Sequence, residues 1–192
     1  MNNRSLILAS KSPRRFDLLT QNGVKFQVFA KDTDELSSYH SIEELPIINA
    51  QKKAQVVADD FPEAITIGAD TIVVYDNQVI GKPRDKDDAV SILQKLVGNT
   101  HRVITGVAII CPAMKKIETF SVTSYVTFKK LSDDDIHRYI ENIYVLDKAG
   151  AYAMQENHDL IVEKFEGSFD NIVGLPVKEV LECVKRFQKQ EN

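Results

Sequence analysis

The residues that could do chemistry begin at Leu6-Ile7-Leu8-Ala9-Ser10-Lys11-Ser12-Pro13-Arg14-Arg15, an apolar run that empties into two hydroxyls, a proline and paired arginines. Ser12 reads as a helix N-cap and Pro13 suits the first helical position, so Arg14 and Arg15 fall in a first turn whose unpaired N–H groups favour negative charge. Cations ordinarily avoid that end of the helix dipole. An anion between the arginines and the helix end removes the conflict, and phosphate is the anion that planar guanidinium forks match best. Two solvated surface arginines are the competing reading, and the motif alone leaves both open.

Asp70 is the next ionisable group out of place. It lies in Ala64-Ile65-Thr66-Ile67-Gly68-Ala69-Asp70-Thr71-Ile72-Val73-Val74-Tyr75, a run that otherwise reads as buried strand. A lone buried carboxylate is costly unless it is paired, hydrogen-bonded or bound to a cation. It is either a satisfied structural Asp near a kink at Gly68, or a metal ligand or general base. Downstream, Gly81-Lys82-Pro83-Arg84-Asp85 sets a Lys and an Arg in a rigid turn, without a Walker motif, since Asp76 stands where its first glycine belongs. Lys52-Lys53 adds positive charge or forms a solvated helix face. Asp32-Thr33-Asp34-Glu35 is an acidic loop whose hard oxygens suit Mg²⁺ or Mn²⁺ when a phosphate supplies further ligands, or simply a solvated loop. His40, His101, His137 and His158 lack zinc spacing, and no G-x-S-x-G elbow offers a nucleophile.

Strand-like and helix-like segments alternate along the 192 residues, without repeats or a linker, which predicts one α/β domain, 1–192, with or without two lobes. Strands are expected at 5–9 and 25–30, around a helix from Ser12 to about Gln21 ended by Gly23. A second helix runs from Ser41, with Glu44 completing a capping box, to Asp59; Pro46 marks either a restart or a bend. The run at 64–75 turns at Asp76-Asn77 into Gln78-Val79-Ile80. Asp85 caps a helix over 86–97, strands follow at 102–111 and 117–129 around Pro112-Ala113-Met114-Lys115, and Ser132 starts a helix to about Asn142. A strand at 160–165 and a final helix from Pro176, with Val180, Leu181 and Val184 on its apolar face, complete the chain.

The formal net charge of −4 argues against a broad electrostatic grip on a nucleic acid polymer, so any phosphate binding must be local. Cys111 and Cys183 show neither metal nor disulfide spacing, which points to a reducing compartment, the cytoplasm by default. The apolar run at 6–9 is too short for a signal peptide and no stretch approaches a membrane span, so no membrane association is expected.

Eight motifs in one order, namely Leu8-Ala9-Ser10-x-Ser12-Pro13-Arg14-Arg15, Asp34-Glu35, Lys53-Ala54, Gly68-Ala69-Asp70-Thr71, Gly81-Lys82-Pro83, Thr105-Gly106-Val107, Asp147-Lys148-Ala149-Gly150-Ala151-Tyr152 and Asn171-Ile172-Val173-Gly174-Leu175-Pro176, resemble the Maf family of septum formation inhibitor-like nucleotide pyrophosphatases. The resemblance implies a Maf/inosine triphosphatase-like fold, an elongated mixed sheet with flanking helices and two lobes around a nucleotide cleft. It implies hydrolysis of a nucleoside triphosphate to monophosphate and pyrophosphate with a divalent metal, Mg²⁺ or Mn²⁺. Asp70 would be the general base and a metal contact, Glu35 the metal-side carboxylate, and Ser10, Arg15, Lys53 and Lys82 the phosphate-binding residues. Arg14, Thr71 and Gln155 would select the substrate.

The Asp147–Tyr152 segment followed by Gln155 resembles the branch acting on dTTP and UTP, a housecleaning activity with a link to cell division arrest. An amide suits the O4 and N3–H edge of uracil or thymine. Ala153-Met154 and Glu156 depart from the usual Gly-Ile and Gly, and Phe169 replaces a common Tyr. 7-Methyl-GTP or a non-standard purine triphosphate is the alternative substrate, and a non-enzymatic regulator of septum formation the alternative class. A homodimer is implied by the resemblance alone.

Overall fold

The expected alternation of elements is present in the computed structural model, which describes residues 4–155 and 157–189; Glu156 lies outside the described residues. In chain order the elements are β1 (Leu6–Leu8), α1 (Pro13–Gln21), β2 (Gln27–Val28), α2 (Leu45–Ala58), β3 (Ile65–Tyr75), β4 (Gln78–Ile80), α3 (Lys86–Leu96), β5 (Thr100–Cys111), β6 (Lys116–Phe128), α4 (Asp133–Asn142), β7 (Val162–Glu166), α5 (Phe169–Val173) and α6 (Val177–Lys189). The strands form a mixed sheet in the order β2-β1-β3-β5-β6-β7, with β4 paired to β3. The long β3, β5 and β6 come from the β-branched runs, as the propensity of Val, Ile and Thr for pleated chain predicts. Contacts group the chain into two units, one of residues up to Asp70, Thr105–Val122 and from Gly174 on, the other of Thr71–Ile104 and Thr123–Val173.

In the first unit β1 runs parallel to both β2 and β3, with Ile7 opposite Gln27 and Thr66. Parallel neighbours require crossover connections, and α1 and α2 supply them. Pro46 marks a restart: it sits in the first turn of α2, where no helical N–H bond is lost. The expected capping box does not form, because the Ser41 hydroxyl bonds the Glu43 carboxylate at 3.1 Å and Glu44 itself takes the N-cap position. β2 is two residues long rather than six, since only Gln27 and Val28 pair with β1.

Two glycines decide how closely α2 approaches the sheet. A Cβ at Gly68 would lie 2.3 Å from the Ala50 carbonyl oxygen, and one at Gly106 would lie 2.2 Å from the Pro46 carbonyl carbon. These are backbone atoms, so nothing larger than hydrogen fits. Ala50, Ala54, Ala58 and Ala108 continue the small-residue contact, with Ile110 completing a buried cluster. At the other end of the chain, α6 buries Val177, Val180, Cys183, Val184 and Phe187, while Leu181 is only half-buried, so its apolar face is rotated from the expected one. Arg186 holds α6 to Glu118 of β6 at 2.6 Å, and this guanidinium pulls the Glu118 carboxyl down to about 2.

In the second unit Asp76 and Asn77, at φ 49° and 53°, make the two-residue turn that pairs Val73 with Ile80. The Asp85 carboxylate accepts the Asp88 N–H at 2.8 Å, and Ser132 with Asp135 forms a full capping box, so both helices start where their caps predict. β7 starts at Val162, since 158–160 forms a 3₁₀ turn that leaves Leu160 exposed.

His101 is buried beside Phe128 and Tyr152, and its Nε2 is hydrogen-bonded to the Tyr152 hydroxyl at 3.0 Å. Burial pushes the imidazole down to about 4. A histidine held neutral when folded takes up its proton more readily when unfolded, so its contribution is complete above pH 6.5 and is lost as pH falls towards 4. Integrated over that window the loss is roughly 3 kcal/mol. Thermal melts of the wild type should show a fall in Tm from pH 6.5 to 4 that is largely absent in His101→Gln; equal slopes would remove His101 as the cause.

Candidate active site

The first unit gathers five of the residues singled out by type, in two connected groups. The first is at the β1–α1 junction. Ser10 accepts the Ser12 N–H at 3.2 Å through its Oγ, and Arg15 Nη1 donates to the same oxygen at 3.2 Å. Arg15 Nε donates to the Gly174 carbonyl at 2.8 Å. Both acceptors are uncharged, so these two bonds orient the guanidinium without neutralising it. Arg15 is buried, which excludes the solvated reading for it, whereas Arg14 is half-buried. Burial lowers the Arg15 guanidinium from its ordinary value, Asp70 and Glu35 oppose that shift, and Arg14 adds to it. Ser12 occupies the N-cap position but its side chain makes no cap bond; the Ser10 hydroxyl takes the local N–H instead.

The second group is centred on Lys53. Its ammonium donates to Asp70 Oδ1 at 2.8 Å and pairs with Glu35 Oε1 at 2.9 Å. Asp70 is buried at the point where β3 passes beneath α2, and Lys53 is placed over it by the close helix approach at Gly68 and Gly106. The cost of burying a carboxylate is thus met by a paired cation and by the Asn49 amide, which donates to Oδ2 at 3.1 Å. A carboxylate has about four acceptor positions, so two donors leave room for a water or a cation. Lys52 lies on the more exposed side, where its ammonium donates to the Asp34 carbonyl at 3.2 Å.

No motif pointed to Asn49. A polar residue on an apolar helix face was its only signal. Glu35, at 53% side-chain exposure, is the accessible member of the group. Among the described residues no three His, Cys, Asp or Glu side chains form a metal-holding group. The donor types nevertheless suit a hard divalent ion of the Mg²⁺ type, since such ions take one or two carboxylates with phosphate oxygens completing the shell. Glu35 and Asp70 share one partner in the Lys53 ammonium, which an ion would have to displace or sit beside.

Thr71, Lys82 and Gln155 belong to the second unit. Thr71 is half-buried, directly after Asp70 in β3; Lys82 and Gln155 are exposed, after β4 and before the 3₁₀ turn. The Gly81 carbonyl accepts the Gly150 N–H at 3.1 Å, tying the Gly81-Lys82-Pro83 turn to the Asp147–Tyr152 segment. Gly150 and Ala151 are both left-handed, at φ 75° and 57°, and the second is strained for a residue with a Cβ. Ala153 and Met154 are buried, and the Ala153 N–H donates to the Tyr139 hydroxyl at 3.0 Å. Phe169 sets its ring against Phe165 and His158.

Comparison with known proteins identifies the family. The family described as Maf-like protein matches residues 5–187. The chain belongs to the Maf family. Curated Maf relatives include a dTTP/UTP pyrophosphatase of Akkermansia muciniphila, 43% identical over 93% of this chain and 94% of its own. Others bearing that name come from Dictyoglomus turgidum, 42% identical over 96% of both chains, and Bacillus velezensis, 43% identical over 96% and 97%. Among solved structures the Staphylococcus aureus Ham1 protein aligns over 98% of this chain and 100% of its own at 15% identity and TM-score 0.49. Among the described residues no helix of this Maf protein is long and apolar enough to cross a membrane.

Proposed function

We propose that this chain is a nucleoside triphosphate pyrophosphatase that hydrolyses dTTP and UTP to the monophosphate and pyrophosphate. The observation that carries the reading is the Asp70–Lys53–Glu35 group: a buried carboxylate held by one ammonium that also pairs with a second, exposed carboxylate, in a chain over 40% identical to proteins bearing that name. Asp70 takes the proton of the attacking water as general base. Ser10 and Arg15, with Lys53 and Lys82, hold the triphosphate oxygens. Arg14, Thr71 and Gln155 choose the nucleotide. Glu35 and Asp70 would hold Mg²⁺ or Mn²⁺, which when bound neutralises charge on the phosphates. The rest is positioning and electrostatics: fixed donors stabilise the charge that accumulates on the leaving pyrophosphate. The setting is cytoplasmic housecleaning of pyrimidine nucleotides, in a chain that forms a homodimer.

A panel of triphosphates with a pyrophosphate readout tests this. The expected order places kcat/KM for dTTP and UTP at least about tenfold above 7-methyl-GTP and ITP, the discrimination that one pair of base-edge hydrogen bonds supplies. A preference for either purine would move the chain to the alternative substrate class, and no release from any of the four would leave a non-enzymatic role.

A further inference from the structure

Asn49 is 2% exposed and lies on α2, one turn before Lys53. Its amide acts on the acidic loop as a second backbone strand would. Oδ1 accepts the Leu36 N–H at 2.8 Å, Nδ2 donates to the Leu36 carbonyl at 3.0 Å, and the other Nδ2 hydrogen reaches Asp70 Oδ2 at 3.1 Å. Only this orientation of the amide satisfies all three partners, since Leu36 N–H needs an acceptor and the Asp70 carboxylate a donor.

The bonds on either side of it make the arrangement systematic. Lys52 holds the Asp34 carbonyl, Lys53 holds the Glu35 carboxylate and Asn49 holds both backbone groups of Leu36, so three consecutive loop residues are gripped from one helix. Asn49 and Lys53, spaced i and i+4 on one face, each bridge that loop to one oxygen of Asp70. The two rungs differ in kind. An ammonium is a rotatable point charge that attracts both carboxylates without setting their planes. The planar amide, locked by two bonds to Leu36, presents its N–H in one direction only and so defines where Oδ2 sits. Glu35, half-exposed, has little packing of its own and takes its place from the Leu36 anchor beside it.

We infer that Asn49 is a positioning residue of the hydrolytic centre, locking the Glu35 loop to the Asp70 carboxylate, a role that rests on the pyrophosphatase reading above. Asn49→Leu removes all three bonds at similar volume. Asn49→Asp keeps the acceptor for Leu36 N–H but removes both donors and sets a second carboxylate against Asp70. The measurements are kcat with dTTP per folded molecule, the Kd of the non-hydrolysable α,β-imido analogue of dTTP, and Tm.

The expected result is a fall in kcat of about ten- to a hundredfold in Asn49→Leu, and more in Asn49→Asp, with the analogue's Kd within about threefold of wild type, because Ser10 and Arg15 are untouched. A merely structural role moves Tm and leaves kcat of the folded protein unchanged. Wild-type kcat in a folded Asn49→Leu would overturn the inference, as would failure of both variants to fold, which assigns Asn49 to the fold. An inactive wild-type protein would overturn the proposed function and this role with it, whereas an active wild type with unaffected variants overturns only this role.

Discussion

Asp70→Asn is expected to lower kcat by about 10²–10⁴-fold, the range for loss of a general base, while nucleotide binding changes little. The substitution is nearly isosteric, so the effect isolates charge and proton affinity. Two donors converge on Asp70 from α2, one on each oxygen, and an asparagine can satisfy only one of them. Its own NH₂ must then face either the Lys53 ammonium or the Asn49 amide, which costs stability. Lys53 retains Glu35 at 2.9 Å, however, so the cation is not left unpaired and the unit should stay folded. Isothermal titration with the imido analogue beside a pyrophosphate assay separates the two effects. Near-wild-type turnover in a folded Asp70→Asn protein would remove Asp70 as the base.

Gly106→Ala carries the second large effect, and it acts through the fold. The new methyl would stand 2.2 Å from the Pro46 carbonyl carbon and 2.3 Å from the Ile47 nitrogen, so α2 itself must shift. Overpacking of this kind costs roughly 3 kcal/mol, about 6–12 °C in Tm for a chain of this size. Because α2 carries Asn49, Lys52 and Lys53, activity should fall together with stability. Gly68→Ala, against the Ala50 carbonyl at 2.3 Å, should behave alike. Gly81→Ala provides the contrast: its Cβ meets nothing within 4 Å, and Tm should move by no more than about 2 °C. Calorimetry on the three variants checks the ordering, and a Gly106→Ala protein as stable as Gly81→Ala would contradict the close approach of helix and sheet.

The close approach at these glycines is set by contacts between elements and leaves no local mark in the sequence. Strand propensity located β3, β5 and β6, and the caps at Asp85 and Ser132 located their helices, because those signals are local. Gly68 read as a kink within a strand; that it admits a helix backbone depends on Ala50, which belongs to α2 and not to the strand. Arg15 was marked by residue type, but its orientation depends on Gly174, 159 residues away. Asn49 stood out only as a polar residue on an apolar helix face, since a helical asparagine gives no sign that its partners are Leu36 and Asp70. The reverse held at Ser41, where a local capping-box signal lost to a hydroxyl–carboxylate bond with Glu43, while Ser12 takes the expected N-cap position without a side-chain cap bond. The segment after Asp147 was legible as a family motif only, because its left-handed Gly150 and Ala151 follow no periodic pattern.

In the proposed reaction a water activated by Asp70 attacks the α-phosphorus, so that pyrophosphate leaves intact. Hydrolysis of dTTP in ¹⁸O-labelled water, followed by mass spectrometry of both products, tests it directly. The label should appear in the nucleoside monophosphate and be absent from pyrophosphate. Label in the pyrophosphate, or release of orthophosphate as the first product, would place the attack on another phosphorus and contradict the account.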